Sequence, residues 1–166
     1  MARLDIRTIG DPVLANRAAP VTDFDASLRR LVADMFETMY DAPGVGLAAP
    51  QIGVAKQLFV YDDDDGHKGV FVNPELVEAD GEWHYEEGCL SVPGFFFDII
   101  RPHRVRMRGL DERGRAIEVE GVDLLGRVLQ HEYDHLQGTL LIERLPREEQ
   151  AAVRKELRQR LINAGD

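Results

Sequence analysis

The segment Gln130-His131-Glu132-Tyr133-Asp134-His135 constrains this 166-residue chain more than any other. An H-E-x-x-H pentad on a helix sets its two histidines one turn apart, so both imidazoles reach one metal ion. Glu132 then lies beside the ion's open position, where it takes a proton from bound water. Leu124, Val128, His131 and His135 fall at i, i+4, i+7 and i+11, on one helical face that otherwise reads apolar. Imidazoles on a core face need partners, because an unpaired buried polar group costs about 1–3 kcal/mol. A buried pair flanked by Glu132 and Asp134 is better satisfied by an ion than by backbone carbonyls, which predicts a fold built around this helix.

Two histidines and a water leave one protein ligand to find. The single cysteine, Cys89, lies in the run Glu87-Gly88-Cys89-Leu90-Ser91. One cysteine excludes an internal disulfide, so it is a buried thiol, a reactive thiol or a ligand. A Cys-His-His set with water in the fourth position is a hydrolytic site.

The length suits one domain, residues 1–166, with room for a sizeable core. The formal charge of −10 speaks against non-specific binding to nucleic acid or anionic membranes. No apolar run is long enough to span a bilayer, and the first ten residues lack an apolar signal core, so a cytoplasmic protein is expected.

Asp25 is placed to cap a first helix whose stripe, Leu28, Leu31, Val32, Met35, Phe36 and Met39, runs to Tyr40 and stops before Pro43. The following Gly44-Val45-Gly46-Leu47-Ala48-Ala49-Pro50-Gln51 is too poor in bulk for ordinary core structure and suggests a backbone that something approaches closely. Short strands are expected over 57–61 and 69–72, around an acidic turn that lacks the ligand spacing of a calcium loop. One or two more are expected over 76–85. Val105, Met107, Ile117 and Val119 alternate with charged residues in a hairpin whose outer face pairs Arg104, Arg106 and Arg108 with Glu118 and Glu120. The histidine helix is expected over 123–137, stopped by Gly138, and a last helix over about 148–161. Core packing is the reading for Phe95, Phe96 and Phe97, with a wall of a peptide groove as the alternative. This order, with few β-α-β alternations, predicts an α+β domain around the site helix.

Three signatures, GVGLAAPQ at 44–51, EGCLS at 87–91 and QHEYDH at 130–135, stand in an order and spacing that resemble the peptide deformylases. That family removes the formyl group from N-terminal formylmethionine of new polypeptides and releases formate. The resemblance implies a small α+β fold, its antiparallel and mixed sheets wrapped around a central metal-binding helix. It makes Cys89, His131 and His135 the ligands of one ion, commonly Fe²⁺, with Zn²⁺, Ni²⁺ or Co²⁺ able to substitute. Glu132 becomes the general acid/base for a metal-bound water or hydroxide. The Gln51 amide and the Leu90 N–H become donors to the formyl oxygen, where one such donor is worth about 2.7–4 kcal/mol.

An extended peptide would pair with Val45 and Gly46 on one side and Gly88 on the other. The methionine pocket is expected to include Val45, Leu124, Val128 and the His131 ring. Arg101 either pairs with Glu87 to fix the cysteine loop or caps the surface. The basic last helix is compatible with docking at the ribosomal exit, as in some relatives of this kind. The alternatives are an H-E-x-x-H zinc peptidase with a downstream third ligand such as Glu143, a Cys89 thiol hydrolase, and a non-catalytic metal or redox-sensing module.

Overall fold

The computed structural model describes residues 2–164. Helix α1 spans Ala26–Asp41 and begins at the expected cap, where the Asp25 carboxylate accepts from the Leu28 N–H at 3.0 Å. Five antiparallel strands follow in one sheet: β1 (Gly46–Ala48), β2 (Leu58–Asp62), β3 (Lys68–Asp80), β6 (Arg104–Leu110) and β7 (Ala116–Val122), in the order β1-β2-β3-β6-β7. A separate ribbon pairs β4 (Trp83–Gly88) with β5 (Phe96–Arg101). Helix α2, Asp123–Leu136, carries the histidines, and α3, Arg147–Ala164, closes the described chain. The architecture is α+β, as the sequence predicts.

Strand alternation places the two main cores. Leu58 and Val60 of β2 face α1 together with Leu28, Met35 and Met39. Phe59 and Tyr61 point to the opposite face, where they meet Leu125, Val128 and Leu129 of α2. The five-stranded sheet is therefore covered by a helix on each face. A third core, with Phe95, Phe97 and Ile99 against Leu141, Ile142 and Leu145, ties the ribbon to the C-terminal part of the chain.

Several elements differ from expectation. The stretch over 69–80 is one strand that passes through Asn73-Pro74 with register irregularities, and Asn73 takes a φ of 51° there. Proline is accommodated because the ladder is already broken at that point. The Gly/Ala-rich segment does form structure, a buried edge strand running into a 3₁₀ turn at Ala49–Ile52. Strand β5 has no counterpart in the expected elements. The last helix is longer at both ends than anticipated, beginning at Arg147.

The charged hairpin pairs as foreseen: Arg104 meets Glu120 at 2.9 Å and Arg106 meets Glu118 at 2.7 Å. β3 adds Glu75, Glu78 and Asp80 to the same face. Gly138 stands just past α2 with a φ of 76°, a left-handed conformation that ends the helix without a Cβ penalty.

Candidate active site

Helix α2 delivers His131 and His135 on successive turns into the space between the two sheets. The loop after β4 brings Cys89 to meet them. Cys89 Sγ lies 3.4 Å from His135 Nε2, His135 Nε2 lies 3.2 Å from His131 Nε2, and the three donor atoms fall within 4.8 Å of one another. A tetrahedral ion with bonds of about 2.05 Å to nitrogen and 2.3 Å to sulfur has N···N and N···S edges of about 3.3 and 3.6 Å. The donor set therefore fits a metal ion, and its thiolate and imidazoles suit a first-row transition metal. Burial opposes ionisation of the Cys89 thiol, but His135 and His131 outweigh it and hold the thiol well below its ordinary range. Glu143 is not part of this cluster. It accepts from the Leu140 N–H at 3.0 Å and caps its own 3₁₀ turn, so the downstream ligand of the peptidase alternative is absent from the site.

Glu132 sits among the ligands without joining them. Its carboxylate is buried, its Oε1 has no hydrogen-bond partner, and burial lifts its pKa above the ordinary range against the pull of His131 and His135. A Cβ on Gly46 would lie 2.6 Å from Glu132 Oε2 and 2.9 Å from its Cγ. The small residues of β1 thus make room for this carboxylate. Gly44 likewise makes room for Leu90, whose Cδ1 would lie 2.9 Å from a Cβ there.

Gln51 reaches the site from the 3₁₀ turn. Its Oε1 accepts from the Ala48 N–H at 2.9 Å, which turns its NH₂ toward Ser91 Oγ at 3.1 Å and Cys89 Sγ at 3.7 Å. A cavity of about 650 Å³ opens over the cluster, and Val45, Gly46, Gly88, Leu90, Leu124 and Val128 all line it. Arg101 does not. It is buried behind the site, with its Nε 2.7 Å from Glu87 and its Nη1 2.8 Å from Asp134, so of its two expected roles only the Glu87 pairing is present.

Two supports go beyond the sequence reading. The first is the carboxylate of Glu87, which receives, besides the anticipated Arg101, Arg127 at 2.7 Å and His131 Nδ1 at 2.8 Å. Held this way, His131 keeps its proton on Nδ1 and turns Nε2 toward the cluster. Burial works against a charge on Glu87, yet His131 and Arg101 bring its pKa down to about 2. Asp134 extends the network to Arg144 at 2.6 Å. The second support is the N-terminal strap, where the Arg7 N–H donates to the Gln51 carbonyl at 2.6 Å and the Ile9 N–H to the Ser91 carbonyl at 2.8 Å. It joins two loops that are distant in sequence. Apart from the Glu87–Arg101 pairing, neither support leaves a trace along the sequence.

Two imidazoles and a thiolate on a shared centre, with an unengaged carboxylate at an open cavity, are the features of a helix-borne metallohydrolase. Residues 3–151 match the sequence model of the polypeptide deformylases. A peptide deformylase of Clostridium botulinum is 51% identical over 144 residues, covering 87% of this chain and 97% of its own. The crystal structure of a peptide deformylase from Legionella pneumophila superposes with a TM-score of 0.90 at 43% identity over 99% of both chains. That of a peptide deformylase from Synechococcus elongatus in complex with actinonin gives 0.84 at 39% identity over 90% of this chain and 84% of its own. The chain belongs to the polypeptide deformylase family.

Proposed function

We propose that this chain is one catalytic unit that hydrolyses the N-formyl group of formylmethionyl nascent polypeptides and releases formate. The observation that carries the reading is Glu132, buried, raised in pKa and unpartnered at Oε1 beside the Cys89-His131-His135 cluster. A structural or sensing site needs no such carboxylate.

Cys89, His131 and His135 hold the cation, which we take to be Fe²⁺, with Zn²⁺, Ni²⁺ or Co²⁺ able to replace it. When bound, the cation supplies a Lewis acid and lowers the pKa of its water toward neutrality. Glu132 takes a proton from the attacking water and passes it to the leaving amine, a transfer suited to a carboxylate whose pKa is raised toward the working pH. The Gln51 NH₂ and the Leu90 N–H donate to the formyl oxygen as it gains charge. Gln51 is preorganised for this by its bond from the Ala48 N–H.

The peptide lies between β1 and β4. Each is the edge strand of its sheet, and both line the cavity at Gly46 and Gly88, so an added strand would join the two sheets. Leu124, Val128 and the His131 ring receive the methionine side chain, with Val45 at the rim. No helix among the described residues is long and apolar enough to cross a membrane. We place the protein in the cytoplasm, with contact to the ribosomal exit through α3 as a further part of this reading.

The test is formate release from a formyl-Met peptide by the anaerobically prepared Fe²⁺ form, with the acetyl-Met peptide as a control. Formate from the first and no cleavage of the second is expected. Folded, fully metallated protein that releases no formate would overturn the reading.

A further inference from the structure

The two donors assigned above to one formyl oxygen stand on different sheets. Gln51 follows β1 of the five-stranded sheet, and Leu90 follows β4 of the ribbon. No strand pairing links the two sheets, and among the described residues no backbone hydrogen bond joins the 49–53 turn directly to the 89–92 loop. The side-chain contacts across the gap run from the Gln51 NH₂ to Ser91 Oγ at 3.1 Å and to Cys89 Sγ at 3.7 Å. One of the two amide hydrogens goes to the formyl oxygen, so at most one of these contacts outlasts substrate binding.

The N-terminal strap spans the gap with bonds that involve no reacting group. The Ala2 N–H donates to Asp34 at 2.7 Å and the Leu4 N–H to Thr38 Oγ at 2.9 Å, which ties the start of the strap to α1. Leu4 and Ile6 pack on the core beside α1, and Ile9 packs on the core behind the ribbon. Between these anchors the Arg7 N–H donates to the Gln51 carbonyl at 2.6 Å and the Ile9 N–H to the Ser91 carbonyl at 2.8 Å. Beyond them the Asp11 carboxylate accepts from the Val13 N–H at 3.1 Å and caps the turn Pro12–Leu14, where Leu14 is buried. The strap is held at both ends, and its two central bonds fall on Gln51 itself and on the neighbour of Leu90.

We infer that Arg7 and Ile9 are positioning residues whose backbone N–H groups fix the separation of the two oxyanion donors. The inference rests on the deformylase reading and adds to it a segment that contributes no ligand to the metal cluster. Preorganised donors stabilise developing charge only where their spacing is set before the reaction begins. A strap that sets this spacing therefore acts on kcat, and it acts through the Gln51 side chain.

The experiment compares Arg7→Pro, which deletes the N–H, with Arg7→Ala, which keeps it. The alanine variant also shows what the guanidinium contributes through its 3.0 Å pair with Asp11 and its position over Gly53. Each is made alone and with Gln51→Ala, and kcat and KM on formyl-Met-Ala-Ser are measured beside metal content. Loss of a whole oxyanion donor costs on the order of 10²–10³-fold in kcat, so its misalignment should cost about tenfold. Arg7→Pro is expected to show that loss with unchanged metal content and KM within about twofold, and Arg7→Ala at most about threefold. Gln51→Ala removes the donor but keeps the carbonyl that receives the strap, so adding Arg7→Pro there should cost less than about twofold more. Where Arg7→Pro does not fold, Ile9→Pro, which deletes the bond to Ser91, carries the test with the same expected fall in kcat and retained metal. Equal kcat in the Arg7→Pro and Arg7→Ala variants would overturn the inference. So would a loss that multiplies in full with that of Gln51→Ala, or one that follows loss of the metal, since the strap would then serve stability alone. If the unmodified enzyme does not hydrolyse formyl-Met-Ala-Ser, the deformylase reading fails first; if it does and the proline variants keep full kcat, this inference alone fails.

Discussion

Gly46 and Glu132 are in such close apposition that a Cβ on the glycine would lie 2.6 Å from the carboxylate's Oε2 and 2.8 Å from its Cδ. Because the contact extends to Cγ, the side chain cannot evade a methyl group by swinging its end alone. Gly46→Ala is therefore expected to displace the proton carrier while leaving the ligands in place. A misplacement of about 1 Å costs on the order of 10²-fold in rate, and a fall of that size in kcat/KM with unchanged metal content is the expected result. Full turnover by the variant would show that Glu132 tolerates the displacement.

Glu132→Ala is expected to keep its metal and lose about 10²–10⁴-fold in kcat. The reason is that the carboxylate stands beside the donor cluster and outside it. Metal analysis run in parallel with turnover separates the two roles, and loss of the ion would assign Glu132 to the ligand set.

Cys89→Ala should behave in the opposite way. The thiolate is one of three protein donors and the only anionic one, so both metal affinity and activity are expected to go. Stoichiometric, tightly held metal together with undiminished turnover would exclude Cys89 as an essential ligand.

The Glu87 network has a pH signature. Its pKa stands at about 2 in the folded protein against an ordinary 4.5, so the folded state holds the ionised form more tightly than the unfolded chain does. A depressed carboxyl pKa gives stability that is fully present above pH 4.5 and is lost as pH falls toward 2. At about 1.4 kcal/mol per unit, the contribution is on the order of 3 kcal/mol. Denaturant unfolding at pH 5, 4 and 3 should show this decline in the unmodified protein and a flatter one in Glu87→Gln. The same variant should lose about 10–100-fold in metal affinity, because His131 loses its orienting partner. Parallel acid profiles for the two proteins would disconnect Glu87 from acid stability.

If Fe²⁺ is the resident ion, air should inactivate the enzyme through oxidation of the iron and of Cys89. Ni²⁺ and Zn²⁺ forms reconstituted from the same apo preparation should last longer, and Zn²⁺ should be the slower catalyst because it favours closed four-coordination. Turnover followed over time in air and under nitrogen is the measurement. Equal lifetimes of the Fe²⁺ and Ni²⁺ forms would remove the case for iron.

What could be read directly from the sequence is what depends on neighbours within one element. The Asp25 cap, the Leu28 to Met39 stripe, the hairpin alternation and the Gly138 stop are set by side-chain periods of a few residues. The histidine pair is legible for the same reason, since one helical turn fixes the spacing of His131 and His135. Strand β5 was hidden although its inward residues, Phe97, Ile99 and Arg101, alternate correctly. Phe96 and Ile100 are apolar on the outward face, so the period of two disappears into an apolar run. Only the tertiary structure decided which groups from distant segments meet. The Glu87 carboxylate collects Arg101, Arg127 and His131 from separations of 14, 40 and 44 residues, and the strap at Arg7 and Ile9 joins the Gln51 and Ser91 loops. Such contacts follow from how sheet, ribbon and helix pack, and no periodicity along the chain records them.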